Sequence, residues 1–179
     1  MLDAVYQKEL VALLPRLRRF ARGLTGDRDD ADDLVQLACE KALRRFRQWE
    51  PETRMDSWMF RIVQNTWIDE RRHRSVRHNH LQAALLEETP SVDGQQAGET
   101  RLAASHVFRA VAALPDDQRT VVMLICVEGY SYKETAEILD IPMGTVTSRL
   151  TRARLALDRV LTAGKDGARG PRAVNGDGR

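Results

Sequence analysis

Phe60, Gln64, Trp67 and Arg71 stand at i, i+4, i+7 and i+11. A helix would therefore carry two aromatics, an amide and a guanidinium in one row. The basic run Arg71-Arg72-His73-Arg74 follows, and Trp49 with Pro51 lies near the row's other end. Aromatics beside cations hold single-stranded nucleic acid by stacking on base faces, at ~1–3 kcal/mol per base. The same row would also serve to pack on a neighbouring helix, with the arginines ending the helix favourably. The pattern alone leaves both readings open. A second row lies near the C-terminus, where Thr147, Ser148, Thr151 and Arg152 form one outward arc with Arg149 and Arg154 on its flanks. Arg pairs with guanine and Ser or Thr bonds base edges or phosphates in the major groove of duplex DNA.

Catalytic chemistry has no such support. There is no Gly-rich phosphate loop and no G-x-S-x-G string, so the chain is expected not to be an enzyme. His73, His78, His80 and His106 have no cysteine at zinc-ligand spacing, and no metal or cofactor is expected. Cys39 and Cys126 lie far apart in apolar-periodic segments and read as buried, reduced thiols of a cytoplasmic protein. The longest apolar run, Val121–Val127, is far short of the ~20 residues of a membrane span. The N-terminal residues, with Asp3, Lys8 and Glu9, show no secretory signal.

The elements that must position these rows read as helices throughout. Strand-like alternation is scarce and aromatics are 6% of the residues, so the fold class is all-α. The reading has two small helical domains, 1–77 and 103–161, a flexible linker at 78–102 and a disordered tail at 162–179. In a helix from about Asp29 to Arg47, Val35, Cys39, Ala42 and Phe46 form a buried stripe. Opposite lie Asp33, Leu37, Glu40 and Arg44, flanked by Gln36 and Lys41. Leu37 is odd in a purely solvated face and hints at a partner surface. In the next helix, about Asp56 to His73, Met55, Met59, Ile62 and Thr66 are core candidates with Trp58 beside them.

The second domain has sharper local grammar. Pro115 opens a helix and Asp116 and Asp117 suit its positive end. Val121, Val122, Leu124, Ile125 and Val127 form its buried face, and Gly129 ends it. Ser131-Tyr-Lys-Glu134 is a capping box, and Asp140-Ile-Pro142 is a tight turn. A final helix from about Gly144 to Leu161 buries Val146, Leu150, Ala153 and Leu157. Short helix, tight turn and longer helix with a Thr/Ser/Arg outer face make a helix-turn-helix. The near-neutral net charge of +2 hides segregation. Residues 78–102 carry one basic and four acidic side chains, whereas the final helix carries Arg149, Arg152, Arg154 and Arg159 against Asp158.

These strings resemble the extracytoplasmic-function (ECF) sigma factors of bacterial RNA polymerase, which keep only the sigma-2 and sigma-4 domains. The matching strings are Asp30-Ala-Asp-Asp-Leu-Val-Gln36 and Trp58-Met-Phe-Arg-Ile-Val-Gln-Asn65 with Asp69 and Arg72. In the second domain they are Leu114-Pro-Asp-Asp-Gln-Arg119, Gly129-Tyr-Ser-Tyr-Lys-Glu-Thr-Ala136 and Gly144-Thr-Val-Thr-Ser-Arg149 through Arg154. Residues 14–26 are also similar to the alphaproteobacterial general-stress branch.

The resemblance implies a set of partners and contacts. Asp33, Leu34, Gln36, Leu37 and Glu40 would meet the β′ clamp of core RNA polymerase, whose β flap is a further implied partner. Trp49, Phe60, Arg61, Gln64, Asn65, Trp67, Arg71 and Arg72 would meet the melted −10 strand of promoter DNA. In the family, the residues aligned with Trp49 and Asn65 line a pocket for an extruded base, whose unstacking cost such a pocket offsets. Thr145, Thr147, Ser148, Arg149, Arg152 and Arg154 would read the −35 duplex. An anti-sigma factor is a further implied partner, and no membrane insertion is expected. Thr147 stands where the family usually has Lys or Arg, and Leu37-Ala-Cys39 replaces a commoner Glu-Thr-aromatic run. The alternative is a sigma-like decoy that sequesters an anti-sigma factor without binding DNA. Such decoys carry a fused phosphoreceiver domain, where this chain has a Gly-rich tail.

Overall fold

Residues 4–46, 49, 54–81 and 107–167 are described in a computed structural model, and among them there is no strand. Helix α1 spans Ala4–Thr25, α2 Arg28–Arg45 and α3 Met55–Leu81. A short helix, α4, covers 107–112. Helix α5, Asp116–Val122, runs on into a widened π turn at Met123–Val127. Helices α6, Tyr132–Leu139, and α7, Met143–Gly167, complete the set.

Local chemistry accounts for most of these ends. Asp27 caps α2, its Oδ1 accepting from the N–H groups of Asp29 and Asp30 at 2.8 and 2.9 Å. Gly26 closes α1 at φ +79° and donates to the Arg22 carbonyl. Ser131 and Glu134 form the reciprocal capping box read from the sequence. Asp140 ends α6 in the left-handed conformation at φ 54°, which its short polar side chain tolerates. Pro115 is the residue before α5, not its first residue.

Helices α1, α2 and α3 pack on one another as a first unit, and α5, α6 and α7 as a second. The units are not separate bodies. Helix α1 lies against α5 and its π turn, α3 lies against α6, and the buried apolar residues of both units form one continuous core. Phe20, Phe60, Met123 and Leu124 are all inside it. Gly23 makes the approach possible, because a Cβ there would run into the Met123 side chain.

Several expectations are revised. The expected boundary at 77/78 falls within α3, whose backbone continues to Leu81, and α7 continues to Gly167, into the expected tail. Residues 82–102 of the expected linker and 168–179 of the tail lie outside the described residues. Val127 is exposed and Cys126 is not buried, whereas Val121, Val122 and Leu124 are. The π turn explains this, since its extra residue rotates Cys126 and Val127 out of the helical phase that the pattern assumes. Both cysteines are free thiols, with Cys39 half-buried.

Candidate nucleic-acid and polymerase interfaces

Helix α7 presents the second row to solvent. Val146, Leu150 and Ala153 anchor it in the core, so Thr147, Thr151, Arg152 and Arg154 face outward. Thr145, Ser148 and Arg149 are half-buried. The hydroxyls of Thr147, Ser148 and Thr151 donate to the carbonyls of Met143, Thr145 and Thr147 at 3.1, 3.0 and 2.9 Å. Their protons are used within the helix, and their lone pairs remain available to a donor. Arg149 Nε pairs with Asp117 of α5 at 3.1 Å. Arg152 and Arg154 have no ion pair among the described residues, which leaves two unpaired cations on the outward face of α7.

The first row is placed differently from its expectation. The core candidates Met55, Met59, Ile62 and Thr66 are buried, but so are Phe60, Gln64 and Trp67. Helix α3 is covered on both sides, by α1 and α2 on one and by the second unit on the other. The Phe60 ring stands edge-to-face against Phe20 at 5.0 Å and against Tyr130 at 5.5 Å between centroids. The Gln64 Oε1 accepts from the Thr120 hydroxyl at 3.1 Å. The Trp67 Nε1–H is buried without a hydrogen-bond partner among the described residues, and Arg71 lies over its ring. Arg61, Asn65, Arg71 and Arg72 remain exposed along the edge of α3. Arg61 donates to the carbonyls of Glu137 and Ile138 at the end of α6, and Arg71 pairs with Asp116 at 3.2 Å. Trp49 is half-buried in an aromatic cluster with Tyr6 and Phe46. Among the described residues, an exposed aromatic row is thus absent from this arrangement of the units.

On α2, Asp33, Gln36, Leu37 and Glu40 are exposed, with Leu37 at 38%. Leu34 is buried, which removes it from that surface. Three positions turn the two leucines about 60° apart around the helix, enough for the packed contact with α1 and α3 to take Leu34 and leave Leu37 outside. Leu34 still lines part of a cavity of about 110 Å³ with Asp33, Leu37, Trp67, Glu70 and Arg74.

The sequence pattern missed a polar network at the junction. The Glu128 side chain is fully buried (0% exposed) at the end of the π turn. It accepts from Arg16 Nε at 3.0 Å and from Arg19 Nε and Nη2 at 2.9 and 3.0 Å. Arg16 also donates to Asp56 at 3.1 Å, as does Arg54 at 2.9 Å. Arg54 reaches on to Glu134 of α6 at 2.8 Å. Arg16 and Arg54 both lie over the Tyr130 ring. The isolated residues gave no sign of this, since Arg16 lies 40 positions from Asp56 and 112 from Glu128.

Burial alone would raise the Asp56 carboxyl. The hydrogen bonds from Arg54, Arg16 and the Ser57 N–H outweigh that and hold it at about 2. Burial, then the neighbouring Asp56, pushes the Tyr130 hydroxyl up. Because the folded value for Asp56 lies below the unfolded one, its contribution is present above about pH 4 and lost as pH falls towards 2. Glu134 is the other carboxyl facing it, and Arg16, Arg54 and Tyr130 are the remaining charged or titratable neighbours. Acid unfolding followed by circular dichroism should show Asp56→Asn losing about 2 kcal/mol of the parent's pH-dependent stability in that window. An unchanged acid slope in the variant contradicts this.

Comparison with known proteins identifies the architecture. The family described as Sigma-70, region 4 matches residues 107–157, and the family described as the Sigma2 domain of PhyR matches residues 10–64. The chain is therefore built from a sigma-2 unit and a sigma-4 unit, the latter ending in the α6–α7 helix-turn-helix.

It is 34% identical to the ECF RNA polymerase sigma factor EcfG of Rhodopseudomonas palustris over 153 residues, covering 86% of this chain and 83% of that protein. It is 36% identical to the ECF RNA polymerase sigma factor SigM of Mycobacterium tuberculosis, over 82% of this chain and 71% of that one. Among solved structures, the sigma factor RpoE in complex with the anti-sigma factor NepR from Bartonella quintana superposes with a TM-score of 0.75 at 31% identity. That match covers 89% of this chain and 98% of RpoE. The chain belongs to the ECF sigma factors of RNA polymerase, the subunits that direct transcription initiation to promoters. No helix among the described residues is long and apolar enough to cross a membrane.

Proposed function

We propose that the chain directs core RNA polymerase to its promoters by a division of labour between three surfaces. Helix α7 enters the major groove of the −35 element, with Arg152 and Arg154 as its free cations and Arg149 recruited from Asp117. The α3 edge with Arg61, Asn65, Arg71 and Arg72, together with Trp49, meets the −10 strand. Phe60, Gln64 and Trp67 join it once the second unit moves off. The exposed face of α2, with Asp33, Gln36, Leu37 and Glu40, takes the polymerase clamp. The observation that carries this reading is the outward cationic face of α7 on a core-anchored helix-turn-helix.

Run-off transcription with core polymerase and its own promoters tests the whole. A promoter-specific transcript is expected, and none from any cognate DNA overturns the reading. Arg152→Ala should weaken promoter binding by ~1–3 kcal/mol while leaving thermal stability unchanged. The solved complex of the similar Bartonella RpoE supports a NepR-like anti-sigma partner for this chain.

One observation favours a second reading. The sigma-2 unit matches the Sigma2 domain of PhyR, and a PhyR is described as an anti-anti-sigma factor in complex with the anti-sigma factor NepR, which suits a unit that sequesters an anti-sigma factor. The intact cationic face of α7 weighs against it, and the same transcription assay separates the two.

A further inference from the structure

The ion pairs and most other polar contacts between the two units share one chemical polarity, while the Arg119 guanidinium and the Thr120 hydroxyl of the second unit donate the other way, to the Leu24 carbonyl and to Gln64. The first unit contributes arginines, namely Arg16, Arg19, Arg54, Arg61 and Arg71. The second contributes anionic or carbonyl oxygens: the carboxylates of Glu128, Glu134 and Asp116, and the carbonyls at the negative end of α6. Between them the Tyr130 ring meets the Phe60 ring edge-to-face at 5.5 Å, under the guanidinium groups of Arg16 and Arg54. Guanidinium groups take carboxylate and phosphate with the same geometry, and an aromatic side chain takes a ring of either kind.

We propose that the second unit occupies the nucleic-acid face of the first as an internal mimic of a single strand, with carboxylates in place of phosphates and Tyr130 in place of a base. This rests on the reading of α3 as the strand-binding element and adds the way its access is controlled. Free protein holds the face closed. A polyanionic strand must displace Glu128, Tyr130 and Glu134 before it reaches Phe60 and Gln64. Glu128 is the strongest of these stand-ins, because its buried carboxylate takes two donors of Arg19, which has no other ion pair among the described residues, and shares Arg16 with Asp56. The capping box gives Glu134 a double task, one oxygen holding the start of α6 and the other holding Arg54.

The test uses the full chain carrying Glu128→Gln, Tyr130→Ala and Glu134→Gln together. Gln retains the capping-box chemistry at position 134. A control, Glu9→Gln with Asp158→Asn, changes the net charge equally at exposed positions that have no side-chain partner among the described residues. A fluorescent single-stranded DNA of mixed sequence is the probe, read by anisotropy at low salt. Donor and acceptor dyes at Lys8→Cys and Arg159→Cys, with Cys39→Ala and Cys126→Ser, report the separation of the units.

The triple variant should bind the strand about tenfold more tightly than the parent and show lower energy transfer before DNA is added. An unchanged affinity with unchanged transfer overturns the proposal, and so does an equal gain in the control. If circular dichroism shows the triple variant unfolded, Glu134→Gln alone reads the same quantities with a gain of about threefold. Run-off transcription by the parent keeps the two ideas apart. A parent that transcribes while its variants show no gain refutes only the mimic. A parent that never transcribes refutes the promoter reading, while the dye separation still reports whether the contact closes the face.

Discussion

Phe60→Ala should lower the stability of the whole chain by about 3–5 kcal/mol. Phe60 has no exposed surface, and its ring is clamped between Phe20 of α1 and Tyr130 of the second unit. Truncation leaves a cavity where the two units meet, so neither unit can collapse into it without shifting the other. Thermal unfolding should move down by about 10 °C and lose cooperativity between the units. The companion Phe60→Leu separates packing from recognition. It keeps most of the volume and should cost less than about 1.5 kcal/mol. If the ring also meets the melted strand, Phe60→Leu will transcribe poorly at nearly unchanged melting temperature. A melting temperature unmoved by Phe60→Ala contradicts the shared core.

Arg119→Ala is expected to have the second largest effect, about 2–3 kcal/mol by urea unfolding. Arg119 is buried in the second unit, yet it donates to the carbonyl of Leu24 at the end of α1. It also donates to the carbonyls of Ala112, the last residue of α4, and of Leu114 just beyond it, the latter at 2.8 Å. The Leu24 and Ala112 carbonyls are terminal ones that a helix leaves without intrahelical donors. One guanidinium therefore closes the ends of two helices from different units. Burial pushes its pKa down, with only Asp116 to offset the lost hydration. The net effect is accordingly smaller than the sum of its bonds, since truncation also removes a buried charge. Hydrogen exchange should rise in the last turn of α1 as well as in α4. A rise confined to the second unit would show that Arg119 does not tie the units together.

Much of the second unit was legible in its residues. The Ser131–Glu134 capping box, the turn at Asp140 and the stripe Val146, Leu150, Ala153 are patterns within one or two helical turns, and all are present. The buried side of α3 was legible for the same reason. Its other side was not. Phe60, Gln64 and Trp67 look alike in sequence whether a base or a protein covers them, because periodicity registers amphipathicity and not the identity of the cover. The π turn hid the exposure of Cys126 and Val127 by breaking the period on which their burial was read. Leu34 lies on the inner side of a helix whose neighbouring residues are mostly charged, so its burial was visible only against α1 and α3.

The helices, their caps, the helix-turn-helix and the outward cations of α7 are written in the order of the residues. Each depends on side chains a few positions apart, whose mutual geometry the helix dictates. That Arg16 meets Glu128, that Arg54 reaches Glu134, and that Tyr130 covers Phe60 are outcomes of tertiary packing alone. Charges and rings so far apart in the chain carry no mark of their partners. Their pairing comes from the packing of α1 and α3 against the second unit, where Gly23 admits Met123 and one hydrophobic core serves both.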